Sequence, residues 1–399
     1  MSLRRAWMTL VIAVACTSLV PPAMAQESAQ QEAAERATHE AGAVQPAPST
    51  TLIPTLRLGD ATNHLDFYGQ IDKGLLVYDD GYQSYDFFPV DDANSPTLAG
   101  FFLVGTMDGG YTITGNLEVA WTPLSTTVVN QYFPETLYPT DVLLRKAEVD
   151  VQGDKGTVWI GQGNMASMPS AQYDLSGTTV AGLSAVQNVA GGLYLRYADG
   201  TLSPVQIIDA FNNYNGLGRR LRIRYDTPAV NGLYFSASVG TVIVPTATGV
   251  LGYDIAAIYN NTVGDFQLSG SLAASVPEAG WALIDGSFSA LHVPTGLSVT
   301  VAGAIEHNPT TDPHYGYVKL GYQQSWFDFG KTALSVDAYL GADIYTPGDQ
   351  SRSVGAQLVQ NIDYLQTQLY VGARLYQYDD PTFSYRDGAA ILTGAFVSF

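Results

Sequence analysis

From about residue 65 to the C-terminus the chain repeats one pattern. Segments of about ten residues alternate between apolar and polar or small positions, and turn residues separate them. In 112–122, Ile113, Leu117 and Val119 fall on one side and Asn116 and Glu118 on the other. Comparable segments run over 143–151, 157–161, 233–241, 252–259, 266–274, 297–305, 315–323, 334–344, 367–376 and 389–399. Helical periodicity is not evident, and Thr, Val, Tyr and Gly dominate, which is strand chemistry. The pattern predicts an all-β chain.

The connectors alternate in type. The stretches 108–110, 153–156, 226–232 and 263–265 are short turns, whereas 123–141, 164–189, 307–314 and 345–352 are longer loops. Short turns at one end and long loops at the other describe a transmembrane antiparallel β-barrel. A soluble β-sandwich stays open as an alternative, but it does not require this asymmetry. No run of 18 apolar residues follows residue 25, and a barrel strand needs none, since about 9–11 alternating residues suffice. At the C-terminus Ile391, Thr393, Ala395, Val397 and Phe399 share one face and the chain ends in an aromatic. That ending resembles the signal read by the barrel-assembly machinery of the bacterial outer membrane. The count is 16 strands, or 18 if the weak pair at 192–198 and 204–211 joins the wall. An even number brings both termini to one side of the membrane.

The N-terminal part differs from the rest. Arg4 and Arg5 precede an apolar stretch over 6–20, and Ala23-Met24-Ala25 supplies a cleavage pattern, so 1–25 reads as an export signal. A lipoprotein signal ending at Cys16 is the competing reading, and its fit is poorer. Residues 26–54 are rich in Ala, Gln, Glu, Pro and Ser with little to bury, which predicts a disordered periplasmic extension before a barrel over 55–399.

Three stretches carry a family likeness. Phe67-Tyr68-Gly69-Gln70-Ile71-Asp72-Lys73 resembles the first strand of Gram-negative general porins. Leu144-Arg145-Lys146-Ala147, followed by 160–167 and 174–178, resembles the strand before the constriction loop, and the loop itself, of alphaproteobacterial-type porins. The run 218–228, which contains Arg219-Arg220-Leu221-Arg222-Ile223-Arg224, resembles their basic wall strand and its periplasmic turn. The resemblance implies a homotrimer of 16-stranded barrels in the outer membrane, each with one loop folded into the pore. It implies passive diffusion of small hydrophilic solutes and ions. The lipid partners would be outer-membrane lipid and lipopolysaccharide. A solute-specific channel and a non-channel structural or adhesin barrel remain the alternatives.

Charge sharpens the candidate site. The chain has 399 residues, 14% of them charged, and a net charge of −19. Nucleic acid is excluded as a partner, because phosphate binding needs clustered positive charge. Arg220, Arg222 and Arg224 alternate with Leu221, Ile223 and Tyr225. An Arg facing lipid near the midplane costs about 2–4 kcal/mol, so the three arginines are expected to line the lumen. Arg145 is a further candidate for this wall. The loop 164–189 carries one charge, Asp174, and is expected to form the constriction opposite the arginines. Asp79, Asp80, Asp86, Asp91 and Asp92, with Asp379, Asp380 and Asp387, are expected in extracellular loops. Asp79, Asp80, Asp91 and Asp92 are weak Ca²⁺ candidates, and a solvated acidic rim explains them as well. Trp121, Trp159, Tyr225, Tyr253, Trp326, Phe327, Tyr376 and Phe399 read as interfacial girdles. No G-x-S-x-G, H-E-x-x-H or phosphate-loop motif occurs, and the five histidines lack metal spacing, so the sequence predicts neither enzyme nor resident cofactor.

Overall fold

The computed structural model describes residues 56–107, 109–132, 142–309 and 311–399. The export signal expected over 1–25 and the extension over 26–54 lie outside the described residues.

Alternation along the chain gives strands, and short turns make consecutive strands pair antiparallel. In order these are β1 (Leu56–Gly59), β2 (Asn63–Asp79), β3 (Ser84–Val90), β4 (Leu98–Met107), β5 (Tyr111–Trp121), β6 (Val142–Gly153), β7 (Gly156–Asn164), β8 (Tyr194–Arg196) and β9 (Leu202–Gln206). A one-turn helix α1 (Ile207–Ala210) follows. Then come β10 (Arg219–Asp226), β11 (Leu233–Thr241), β12 (Leu251–Val263), β13 (Phe266–Val276), β14 (Ala282–His292) and β15 (Leu297–His307). The last are β16 (His314–Phe327), β17 (Gly330–Ala342), β18 (Gln350–Ile362), β19 (Thr367–Asp379) and β20 (Gly388–Ser398).

Pairing of β2 with β20 closes the sheet, and the result is a 16-strand barrel. Two details reconcile that number with the strands above. First, β3 and β4 share one place in the wall: β3 pairs with the upper part of β2 (Gly74 to Asp79) and β4 with the lower part (Asn63 to Gln70). Second, β1 is a short flap against the foot of β2, and β8 pairs only with β9, away from the wall. The weak pair of candidate strands thus belongs to a loop, and 16 holds.

Closure follows from the solvent. Lipid offers no hydrogen bonds, so a sheet edge there would leave backbone groups unpaired. The two faces of the wall differ as the pattern requires. Leu117, Ile160, Ile223, Leu272, Val301, Leu320 and Leu340 point outward and are exposed, while Asn116, Arg222, Ser271, Thr300 and Lys319 point inward and are buried. Trp121, Tyr225, Tyr253, Trp326, Phe327 and Phe399 are exposed, as a girdle requires. Tyr376 and Trp159 depart from that expectation. Tyr376 is fully buried inside the barrel and donates to the Val186 carbonyl at 2.7 Å. Trp159 donates its Nε1–H to Asp226 at 3.0 Å, beneath Arg222 and Arg224.

Candidate constriction and charged wall

The connection between β7 and β10 dominates the interior. Its first half runs along the inner wall, pinned strand by strand by small polar side chains. Ala166 N donates to Ser238 Oγ on β11 at 2.9 Å, and Ser167 N to Asp254 on β12 at 2.8 Å. Ser170 hydrogen-bonds Asp285 on β14. Tyr173 N and Leu175 N donate to Ser287 at 2.8 Å and Ser289 at 2.9 Å. Thr178 meets Ser335 on β17 at 2.7 Å, and Asn188 O accepts from Thr126 near the top of β5. The loop is therefore longer than the 164–189 expected. It continues through the β8–β9 hairpin and α1, and its return leg passes Tyr339, which donates to Asn212 O at 2.8 Å.

This loop packs an apolar core into one side of the lumen. Val186, Val189, Leu193, Ile207 and Phe211 of the loop meet Tyr315, Tyr339, Tyr370 and Tyr376 of β16, β17 and β19. Phe211 stands edge-on to Tyr376 at 5.1 Å. The opposite wall, β5 to β7 and β10, is lined instead by charge.

On that wall the arginine ladder faces inward as expected: Arg220, Arg222 and Arg224 are buried, and Leu221, Ile223 and Tyr225 are exposed on the other face. The ladder is not a bare basic strip. Arg222 pairs with Glu148 on β6 at 2.5 Å, and Arg224 with Asp226 at 2.8 Å. Gly163 makes the first pair possible, because a Cβ there would fall 1.9 Å from the Glu148 carboxylate. Arg145 sits at a bulge of β6 and pairs with Glu118 at 2.5 Å. Like charges at alternate strand positions repel, and interleaved carboxylates relieve that repulsion.

A sequence model described as Gram-negative porin matches residues 11–381. The chain belongs to the Gram-negative porin family. It is an outer-membrane channel for passive diffusion of small hydrophilic solutes and ions. No curated protein matches it in sequence. Among solved structures, the anion-selective porin from Comamonas acidovorans is 15% identical, with a TM-score of 0.55 over 84% of this chain and 100% of that one. OmpT of Vibrio cholerae is 11% identical, with a TM-score of 0.54 over 86% and 99% of the two chains. The channel DcaP of Acinetobacter baumannii is 10% identical, with a TM-score of 0.52 over 86% and 99%. At these identities they share the barrel fold with this porin.

Asp174 is the main correction to the expected site. It does not face the arginine ladder. The loop carries it along the wall to β15 and β16, where it accepts from Lys319 at 2.8 Å and from Thr300 at 3.3 Å. Burial pushes the Asp174 carboxyl up, but the Lys319 ammonium and the hydrogen bonds from Lys319 and Ser176 outweigh it. The carboxyl is held below its usual range. The acidic candidates also separate. Asp79 and Asp80 sit at the loop end, where Asp80 pairs with Arg196 of the loop at 2.6 Å. Asp86 lies within β3, and Asp91 and Asp92 are buried at the break between β3 and β4, not in an extracellular loop. Asp91 pairs with Lys73, and Asp92 accepts from Asn94 N at 2.9 Å. Asp79, Asp80, Asp91 and Asp92 thus do not converge.

Sequence reasoning missed Lys319, Glu148 and Lys146 as members of the charged interior. A signal was present for Lys319: it stands alone in a strand whose outward positions are Val318 and Leu320.

The Asp174–Lys319 pair gives a direct prediction. Lys319→Met leaves a buried carboxylate without its cation, a loss of about 3–5 kcal/mol. Guanidinium unfolding of the porin in vesicles should show that loss, and limited proteolysis should cut the loop. A lowered folded pKa means the pair stabilises above the ordinary carboxylate range and fails as pH falls through the lowered value. Wild-type stability should therefore hold at pH about 5 and drop below about 4, and Asp174→Asn should flatten that drop.

Proposed function

We propose that the conducting path runs between the loop and the charged wall, past Glu118, Arg145, Arg222 and Glu148, while the loop core closes the other side. The observation behind this reading is the split of the interior. Aromatic and aliphatic side chains seal one side, and hydrated ions need polar partners along their route. Arg220, Arg222, Arg224, Arg145 and Asp174 are proposed pore residues, with Asp174 acting from the far wall through its hold on the loop. Paired acids offset the arginines, so selectivity is proposed to be weak. In planar bilayers with a salt gradient, the wild-type reversal potential should lie near zero. Arg222→Glu places a second carboxylate beside Glu148 and should shift it toward cations. An unchanged potential would remove Arg222 from the path.

We further propose that the porin assembles as a homotrimer through the face formed by β2 to β5. On the outer side of β2, Lys73 stands between the exposed Ile71 and the upper strand, pairs with Asp91 and lies 5.4 Å over the Trp121 ring. A lysine facing lipid at mid-height costs about 2–4 kcal/mol. The interruption of the wall between β3 and β4 lies beside it. A second protomer would cover both. OmpT of Vibrio cholerae is described in a trimer form. Lys73→Glu should convert the trimer to monomers in native mass spectrometry, and the swap Lys73→Asp with Asp91→Lys should restore it. A stable Lys73→Glu trimer would refute the assigned face.

A further inference from the structure

Arg220 differs from its neighbours on the ladder. Among the described residues it forms no ion pair, and its hydrogen bond from Nε to the Leu217 carbonyl is long, at 3.4 Å. Asp254 on β12 is near enough to act on it electrostatically, but that carboxylate is engaged by Ser167 and Ser238. The guanidinium passes close to Gly252, where a Cβ would fall 2.4 Å from Nη1. Among the described residues no carboxylate pairs directly with this cation.

That cation borders a cavity of about 400 Å³ at the loop end of the barrel. Its other walls are chemically mixed. Trp281 and Tyr214 supply aromatic faces, and Leu283 adds an apolar one. Asn212 and Asn215 spend their Oδ1 atoms on the loop backbone, accepting from Tyr214 N at 2.8 Å and Ala171 N at 3.0 Å. Their amide NH₂ groups are thus left as donors. Glu306, from the end of β15, also borders the cavity; its Oε1 accepts from Asn308 Nδ2 at 3.2 Å, and among the described residues no ion pair joins it to Arg220. A cation and an anion that share one cavity without touching ask for a ligand carrying both opposite charges. The volume is in the range of small-molecule sites.

We propose that this cavity is a capture site for small zwitterions, amino acids and short peptides, with the carboxylate on Arg220, the ammonium on Glu306 and the side chain against Trp281. A carboxylate on Arg220 gains charge-assisted hydrogen bonds from the guanidinium. The site lies at the loop end of the lumen, so it would concentrate solute ahead of the charged wall. The proposal rests on the channel reading for that direction of entry, but binding itself needs no current to be measured.

The probe is glycyl-leucine, with N-acetyl-glycyl-leucine and glycyl-leucinamide as its single-charge counterparts. Titration into folded porin in detergent, followed by tryptophan fluorescence, should saturate for glycyl-leucine. Trp281→Phe should abolish the signal change, while calorimetry on the same variant still reports binding. Both counterparts should bind about tenfold or more weakly than the zwitterion. Arg220→Gln should weaken the zwitterion and the acetylated anion alike. Glu306→Gln should weaken the zwitterion and leave the acetylated anion unchanged. Retained heat-modifiable mobility on gels shows that each variant is folded. Equal binding of all three probes, or of glycyl-leucine to wild type and Arg220→Gln, would overturn the proposal. A porin that conducts but shows no saturation with glycyl-leucine refutes the capture site and leaves the channel intact. A non-conducting barrel that binds it would do the reverse.

Discussion

Everything in this molecule follows from the absence of water in the hydrocarbon layer. Each backbone N–H and C=O in the wall must find a partner within the sheet, and only a closed barrel supplies one for all of them. Closure through β2 and β20 fixes the two faces of every strand. Outward positions must be apolar, which is why Ile223, Leu272 and Leu320 lie exposed. Charge is then forced inward, where it has to be neutralised or hydrated.

The interior meets that demand in two ways. Along β11 to β17, small hydroxyls and aspartates act as pegs for the loop, each satisfying a backbone or hydroxyl group that would otherwise be buried unpaired. Across β5 to β7 and β10, arginines and carboxylates interleave. The loop thus divides the barrel by chemistry: an aromatic core on one side and a charged wall on the other. On the proposed path, a polar wall facing an apolar plug would give ions a route with modest selectivity, because its arginines are interleaved with carboxylates.

The fold was legible because alternation and the contrast of turns with loops are local properties. The inward direction of Arg220, Arg222 and Arg224 was legible for the same reason, since parity along one strand decides it. The partner of Asp174 was not. Lys319 lies 145 positions away, and the loop reaches it by contacts with Ser287 and Ser289, residues that carry no distinctive signal in sequence. Tyr376 misled for a related reason. It alternates with the outward Leu375, and only the packing of Phe211 and Val186 against it reveals an interior role. The break between β3 and β4 was also hidden, because Asp91 and Asp92 have the composition of a surface loop while sitting buried in the wall.

The division of the lumen is the central claim, and cysteine modification during conduction tests it most directly. Cys16 is the one cysteine in the sequence, within the stretch read as the export signal. Asn116→Cys on the polar wall and Tyr339→Cys under the loop core would be prepared from protein lacking residues 1–25. A charged methanethiosulfonate reagent added to open channels in a planar bilayer should change the current of Asn116→Cys in steps and leave Tyr339→Cys unaffected. Stepwise modification at residue 339 with none at residue 116 would place the path on the other side of the loop and contradict the account.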